Sequence, residues 1–260
     1  MNNWIQLSID YANQRSYLDD LFQVYPTIPE GIRELDNSKW LEIEKSFKKK
    51  DNQKLIINLL KLNKFPIKDS YVAYLRKDKT AIYRNPRTIN RICGRLYEMG
   101  INEIFKSCSE PKETNRQIGP MFREWLNKKS LGLTPVTLEE FKKNKKDAIL
   151  NASDKDLLNF AKDNFNYHNP KGLDFVGRFN GKYVIGEAKF LTDFGGHQNA
   201  QYNDAINLLT SKNVKVIKIA ILDGVLYIKG KNKMYNSITG IHNKFNIMSS
   251  LVLREFLYQI

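Results

Sequence analysis

Residues 170–191 read PKGLDFVGRFNGKYVIGEAKFL, and the fold turns on what Asn180-Gly181 does in the middle of that stretch. Two apolar-rich runs, 173–179 and 182–191, flank the dipeptide. Both central residues of a type I′ turn need positive φ, which Asn and Gly reach at low cost, so the stretch predicts a two-residue β-hairpin. In that register Phe179 faces Lys182, Arg178 faces Tyr183, Val176 faces Ile185 and Asp174 faces Glu187. Side chains alternate along a strand, so Lys189 lies on the Glu187 face.

The register sets two carboxylates opposite each other, with Cβ atoms about 5 Å apart, beside an ammonium. Like charges placed this way destabilise a hairpin. A divalent cation between them resolves the conflict, since hard cations take carboxylate oxygens and keep positions open for water and phosphate. The competing reading is a surface hairpin whose Lys189 screens two unrelated acids.

Asp174, twelve intervening residues and Glu187-Ala188-Lys189, with Pro170 upstream, resembles the PD-(D/E)XK nuclease signature. The match departs from the literal pattern at the proline, because Lys171-Gly172-Leu173 separate Pro170 from Asp174. The chain as a whole looks like a type II restriction endonuclease. That resemblance implies an α/β fold: a restriction endonuclease-like core with a central mixed sheet flanked by helices. It also implies Mg²⁺-dependent, sequence-specific cleavage of double-stranded DNA that leaves 5′-phosphate ends. Asp174, Glu187 and the backbone carbonyl of Ala188 would be the metal ligands, with Lys189 completing the catalytic set. One copy carries one candidate centre and duplex cleavage needs two cuts, so a homodimer is expected. A cognate DNA methyltransferase would be a genetic partner, not a physical one. A structure-specific repair or recombination nuclease and a non-catalytic DNA-binding regulator are the alternative readings.

Composition agrees with a polyanionic partner. Lys and Arg total 42 against 28 Asp and Glu, a formal charge of +14 over 260 residues, and each phosphate neutralised releases condensed counterions. A hydrophobic content of 42% is that of a globular chain. There is no long basic amphipathic helix, lipidation motif or spanning run, so no membrane partner is expected. The first residues, MNNWIQLSIDYANQRSYLDD, lack a basic start and an apolar h-region. Cys93 and Cys108 are too few for a disulfide scaffold, and a reducing cytoplasm fits. His168, His197 and His242 show no zinc-ligand spacing.

Two regions are expected: 1–110, a mainly helical DNA-recognition region, and 111–260, the α/β nuclease core with a C-terminal DNA-contacting loop. Leu55, Ile56, Leu59, Leu60 and Leu62 give one apolar helical face. Tyr71, Tyr74 and Leu75 give another after Phe65-Pro66. Asn85, Pro86 and Gly100 bracket a helix whose apolar stripe is Ile89, Ile92, Cys93 and Leu96. Arg84 precedes it, and Arg87, Arg91 and Arg95 follow at four-residue spacing with Asn90 beside them. The ridge reads as a helix laid in or along a DNA groove, because Arg can be bidentate to guanine and Asn to adenine. It also fits a solvated face paired with acids such as Glu98.

A polar connector at 109–115 leads to a helix with Ile118, Phe122, Trp125 and Leu126 inward, and Arg116 and Gln117 at its start are candidate phosphate contacts. Glu124 on that helix is expected to be solvated. Residues 138–165 read as one or two amphipathic helices. Behind the hairpin a helix carries Gln198 and Gln201 on one face, both candidate contacts to phosphate or water. The apolar run 214–222 predicts a buried strand, with Asp223-Gly224 turning into a return strand at 225–228. Residues 229–244 read as a loop or ribbon, with Lys231 and Lys233 as DNA contacts, and 247–257 as the closing helix.

Overall fold

Asn180 and Gly181 both take positive φ, 49° and 76°. Around them Phe179 faces Lys182, Arg178 faces Tyr183 and Val176 faces Ile185 in an antiparallel ladder. The hairpin thus forms in the expected register from residue 175 to the turn, and the rest of the sheet is laid against it.

The computed structural model describes residues 1–26, 34–110 and 117–260. The chain forms two compact units, residues 1–27 with 113–260 and residues 28–112. The first unit opens with helices α1 (Asn3–Ala12) and α2 (Tyr17–Val24). The second holds α3 (Asn37–Lys48), α4 (Asn52–Leu60), α5 (Ser70–Lys77), α6 (Ala81–Arg84), α7 (Pro86–Met99) and α8 (Ile101–Ser109). The first unit resumes with α9 (Ile118–Asn127), α10 (Leu138–Lys143), β1 (Ala148–Ile149), α11 (Asp154–Phe165), β2 (Phe175–Phe179) and β3 (Lys182–Leu191). It ends with α12 (Gly196–Thr210), β4 (Ile217–Gly224), α13 (Lys233–Thr239), β5 (Ile247–Met248) and α14 (Ser250–Gln259).

The sheet is mixed, in the order β1-β2-β3-β4-β5. The β1–β2 and β2–β3 pairs are antiparallel, and β3–β4 and β4–β5 are parallel. Strands β3 and β4 are central and largely buried, which is why 214–222 reads as a near-continuous apolar run. Val184, Ala188, Ile219 and Ile221 share a core with Ile5, Leu21, Phe122 and Leu253, while Val176 and Ile185 sit in a second core with Leu157, Ala161 and Leu173.

Several expectations are corrected here. Residues 1–27 belong with the sheet and not with the helical region: Ile5, Leu21, Val24 and Tyr25 are buried in the sheet's core, and the Tyr25 hydroxyl donates to Asp223 at 2.9 Å. No return strand follows Asp223-Gly224. Val225–Tyr227 is a 3-10 turn, and the next strand, β5, pairs parallel with β4. Residues 229–244 contain α13, because Met234 and Ile238 make a buried i, i+4 pair and the Asn232 side chain accepts the Tyr235 N–H at 2.7 Å. The closing helix starts at Ser250, after β5. A short strand, β1, interrupts 138–165 and edges the sheet beside β2.

In the second unit α7 has the expected bounds, and Ile89, Ile92, Cys93 and Leu96 are buried with Ile56, Leu59 and Ile104. Asn85 does not cap it by side chain; its amide donates to the Ala81 carbonyl at 2.8 Å. Helix α5 buries Val72 and Leu75. The expected apolar face of Tyr71 and Tyr74 instead looks outward, with both residues about 60% exposed. Among the described residues no helix is long and apolar enough to cross a membrane.

Candidate active site

At the end of the hairpin away from its turn, Lys189 Nζ lies 3.1 Å from Asp174 Oδ2 and 2.6 Å from Glu187 Oε1. Both carboxylates therefore meet one ammonium on one side of the sheet. The expected face-to-face pairing of Asp174 with Glu187 is modified by a local kink. The ladder stops at Phe175, and the Asp174 N–H donates to the Gly186 carbonyl at 3.1 Å. With no strand beyond to take the Ala188 N–H, Asp174 Oδ2 accepts it at 2.9 Å. A residue's N–H and C=O leave a strand on the same edge, so the Ala188 carbonyl is directed to that side as well.

The cluster is nearly sealed, with side-chain exposures of 12% for Asp174, 8% for Glu187 and 20% for Lys189. Burial first, and then the Asp174 charge, push Glu187 up to about 7, with Lys189 opposing and Asp204 adding to the rise. Burial works against the Lys189 ammonium, but Asp174 and Glu187 outweigh it and raise its pKa, so it stays charged. Two acids against one lysine leave a site short of positive charge, which suits a hard cation. Among the described residues no group of three or more His, Cys, Asp or Glu side chains is placed to hold a metal. A cation here would have two carboxylates and complete its shell from backbone, water and phosphate, as Mg²⁺ commonly does.

Two neighbours carried no sequence signal. Asp204 on α12 is paired with Lys171 at 2.7 Å and contributes to the field at Glu187. Tyr167 is buried; burial and then the Glu187 charge push its hydroxyl well above its ordinary value. Neither stands at a motif spacing, and only the approach of α12 and of the segment after α11 to β3 assigns them to this place.

The candidate DNA contacts are scattered. Arg84 pairs with Asp78 at 2.6 Å and Arg91 with Asp69 at 2.7 Å, while Arg87 is exposed and makes no ion pair among the described residues. Arg95 pairs with Glu98 at 3.0 Å, and Asn90 accepts from the Asn52 amide at 2.8 Å. Arg116 lies outside the described residues. Gln117 is half-buried at the N-cap of α9. Gln198 is buried, and its amide binds the Thr192 hydroxyl at 3.2 Å, tying α12 to the end of β3; Gln201 is half-buried on the same helix. Lys231 and Lys233 are exposed, with Lys233 opening α13. Glu124 is exposed on α9, as expected.

A five-stranded mixed sheet with helices around it, a buried acid–acid–lysine cluster and a formal charge of +14 have the make-up of a hydrolase that works on a nucleic-acid backbone. The family is given by its own model: residues 2–260 match that of the Tsp45I type II restriction enzyme, and the chain belongs to that family. It is accordingly a site-specific deoxyribonuclease with DNA as its substrate. Enzymes of this type generally use divalent metal ions. Comparison with curated proteins gave no match, and neither did comparison with solved structures.

Proposed function

We propose that the protein is a Mg²⁺-dependent type II restriction endonuclease of the PD-(D/E)XK kind, with its catalytic centre at Asp174, Glu187 and Lys189. The observation that carries this reading is the meeting of both carboxylates at the Lys189 ammonium. Asp174, Glu187 and the Ala188 carbonyl would hold the cation. When bound, it supplies charge to polarise the scissile phosphate and acidify a water. The buried acids keep Lys189 Nζ charged, positioned to orient the attacking water and to stabilise negative charge on the phosphate. In-line attack leaves a 5′-phosphate and a 3′-hydroxyl. The helical unit serves DNA recognition, with Arg84, Arg87, Asn90 and Arg91 toward the duplex, and Arg116, Gln117, Gln201, Lys231 and Lys233 as further contacts. Two copies act on one duplex, and a cognate methyltransferase protects the host's own sites.

Plasmid incubated with the purified protein and Mg²⁺ is expected to give discrete bands whose ends, once sequenced, share one flanking sequence and carry 5′-phosphates. EDTA is expected to abolish the bands. Intact plasmid, or a smear with random ends, defeats this reading.

A further inference from the structure

The face of the second unit made by α5, α6 and α7 has a composition that its fold does not require. Between Phe65 and Arg95 the chain has eight Lys or Arg and two Asp, Asp69 and Asp78. Both acids are engaged. Asp69, the N-cap of α5, holds Arg91 at 2.7 Å, and Asp78, the C-cap of the same helix, holds Arg84 at 2.6 Å. Helix α5 is thus clamped at both ends by arginines that flank Arg87 in sequence. Arg84 and Arg91 still have over half their side-chain surface in solvent, and each guanidinium has five N–H donors. The Arg91 guanidinium also lies 5.5 Å from the Tyr71 ring centre. Tyr71, Tyr74 and Tyr83 are 61%, 60% and 60% exposed.

Three large aromatic rings in water, one of them stacked under Arg91, bring no core packing. Val72, Leu75, Ala81 and Ile82 supply that from the other side. We infer that this tyrosine–arginine face is the surface by which the helical unit grips duplex DNA, and that Tyr71, Tyr74 and Tyr83 belong to it together with Arg84, Arg87 and Arg91. Phenol hydroxyls and Arg87 serve phosphates. Arg91, held in plane by Asp69 and Tyr71, presents its remaining donors in a fixed orientation. The inference rests on the protein being a DNA endonuclease and adds where that unit touches its substrate.

The test uses the full chain, a fluorescein-labelled mixed-sequence duplex and no divalent metal, with anisotropy read over a salt series. Arg87→Ala is expected to lower the slope of log K against log salt by about 0.9. Tyr71→Ala/Tyr74→Ala is expected to weaken binding by about tenfold or more, the loss of two hydroxyl contacts to charged phosphates, with unchanged melting temperature because both rings are in solvent. Lys106→Ala, on α8, is the control and keeps wild-type affinity. Wild-type affinity and slope in the combined tyrosine and Arg87 variant overturn the inference, as does a changed oligomeric state with unchanged DNA affinity. Failure of the nuclease reading is separate: there the wild-type protein does not cut.

A different observation carries a second inference. Gly119, in the first turn of α9, has no positive φ, and beyond its own turn of helix a Cβ there would meet, among the described residues, Asp174 Oδ1 at 3.6 Å and nothing else within 4 Å. Alanine therefore fits, and it is the better helix former. Asp174 Oδ1 has no hydrogen bond among the described residues, in contrast to Oδ2. The geometry points to Gly119 as a positioning residue that leaves room in front of Oδ1 for the hydrated cation and the phosphate. This too rests on the metal-dependent reading.

Gly119→Ala is expected to melt at the wild-type temperature or above it without metal and to bind duplex normally. Its Mn²⁺ affinity by calorimetry and its kcat are expected to fall, the latter by about tenfold or more, and Gly119→Val is expected to lose more. Wild-type metal affinity and kcat in Gly119→Ala overturn the inference. Absence of Mn²⁺ binding in the wild-type protein would overturn the metal reading instead.

Discussion

Lys189→Ala is expected to lower plasmid cleavage by about 10²–10⁴-fold while affinity for cognate duplex stays within a few-fold of wild type. The side chain is 20% exposed and already committed to two carboxylates, so its loss removes little of the surface that holds the duplex. On the proposed reading it does remove the ammonium that stabilises negative charge developing on the phosphate. The variant should also report on the acids. Glu187 stands at about 7 because burial and Asp174 raise it and Lys189 opposes them, so without the ammonium it rises further. A carboxyl whose folded pKa lies above its unfolded value binds more protons folded than unfolded, and stability then falls as pH rises between the two values. The metal-free variant should therefore lose melting temperature more steeply than wild type above the ordinary Glu range, up to and beyond pH 7. Added Mg²⁺ should restore part of the loss, since the carboxylates no longer share a lysine. Cleavage at the wild-type rate would remove Lys189 from the reaction. Restored melting without restored cutting separates its catalytic role from its electrostatic one.

How much of this was legible depends on how local the determining physics is. The turn at Asn180-Gly181 is fixed by two positive φ values that few other residues accept, and everything that follows by alternation from it was readable, including the shared face of Glu187 and Lys189. The kink at Asp174 was not readable, because it depends on where β2 stops and on a backbone N–H at Ala188 that needs an acceptor. Helix α7 was legible from its stripe and its proline, but the partners of its arginines were not. Asp69 and Asp78 reach them only because α5 lies alongside. The tyrosines of α5 point outward because Val72 and Leu75 already form the buried pair, and the half-apolar Tyr side chain fits either face by spacing alone. Helix α13 was hidden by its Lys- and Asn-rich flanks, its buried face being reduced to Met234 and Ile238. The return strand failed at one residue, Gly224, whose backbone sends the chain into a 3-10 turn.

Gly224→Ala is expected to destabilise the first unit by more than about 4 kcal/mol, a large part of the usual margin of about 5–15 kcal/mol. Gly224 has φ 98° and ψ −141°, a region nearly closed to any residue with a side chain. A Cβ there would stand 2.1 Å from the Leu191 carbonyl oxygen. That oxygen is backbone, at the end of β3, and Leu191 is the residue paired with Gly224 in the parallel ladder. Relief requires the ends of β3 and β4 to separate. The adjoining Asp223 carboxylate is fully buried and accepts from the Tyr25 hydroxyl at 2.9 Å, the Ser249 hydroxyl at 2.5 Å and the Ser250 N–H at 3.1 Å. Displacing it strands buried donors at about 1–3 kcal/mol each. Two other glycines calibrate the effect. A Cβ at Gly181 meets nothing within 4 Å, and one at Gly186 meets Cγ1 of the buried Ile219 side chain at 2.8 Å, which can yield only by repacking the core around it. Gly181→Ala should then cost about 1–2 kcal/mol, the left-handed backbone term alone, with Gly186→Ala in between. Urea unfolding of the three variants should rank Gly224→Ala far below Gly186→Ala and Gly186→Ala below Gly181→Ala. A Gly224→Ala protein within about 1 kcal/mol of wild type would mean that β4 does not end against β3 in this way, and that the strand carrying Glu187 and Lys189 is held by something else.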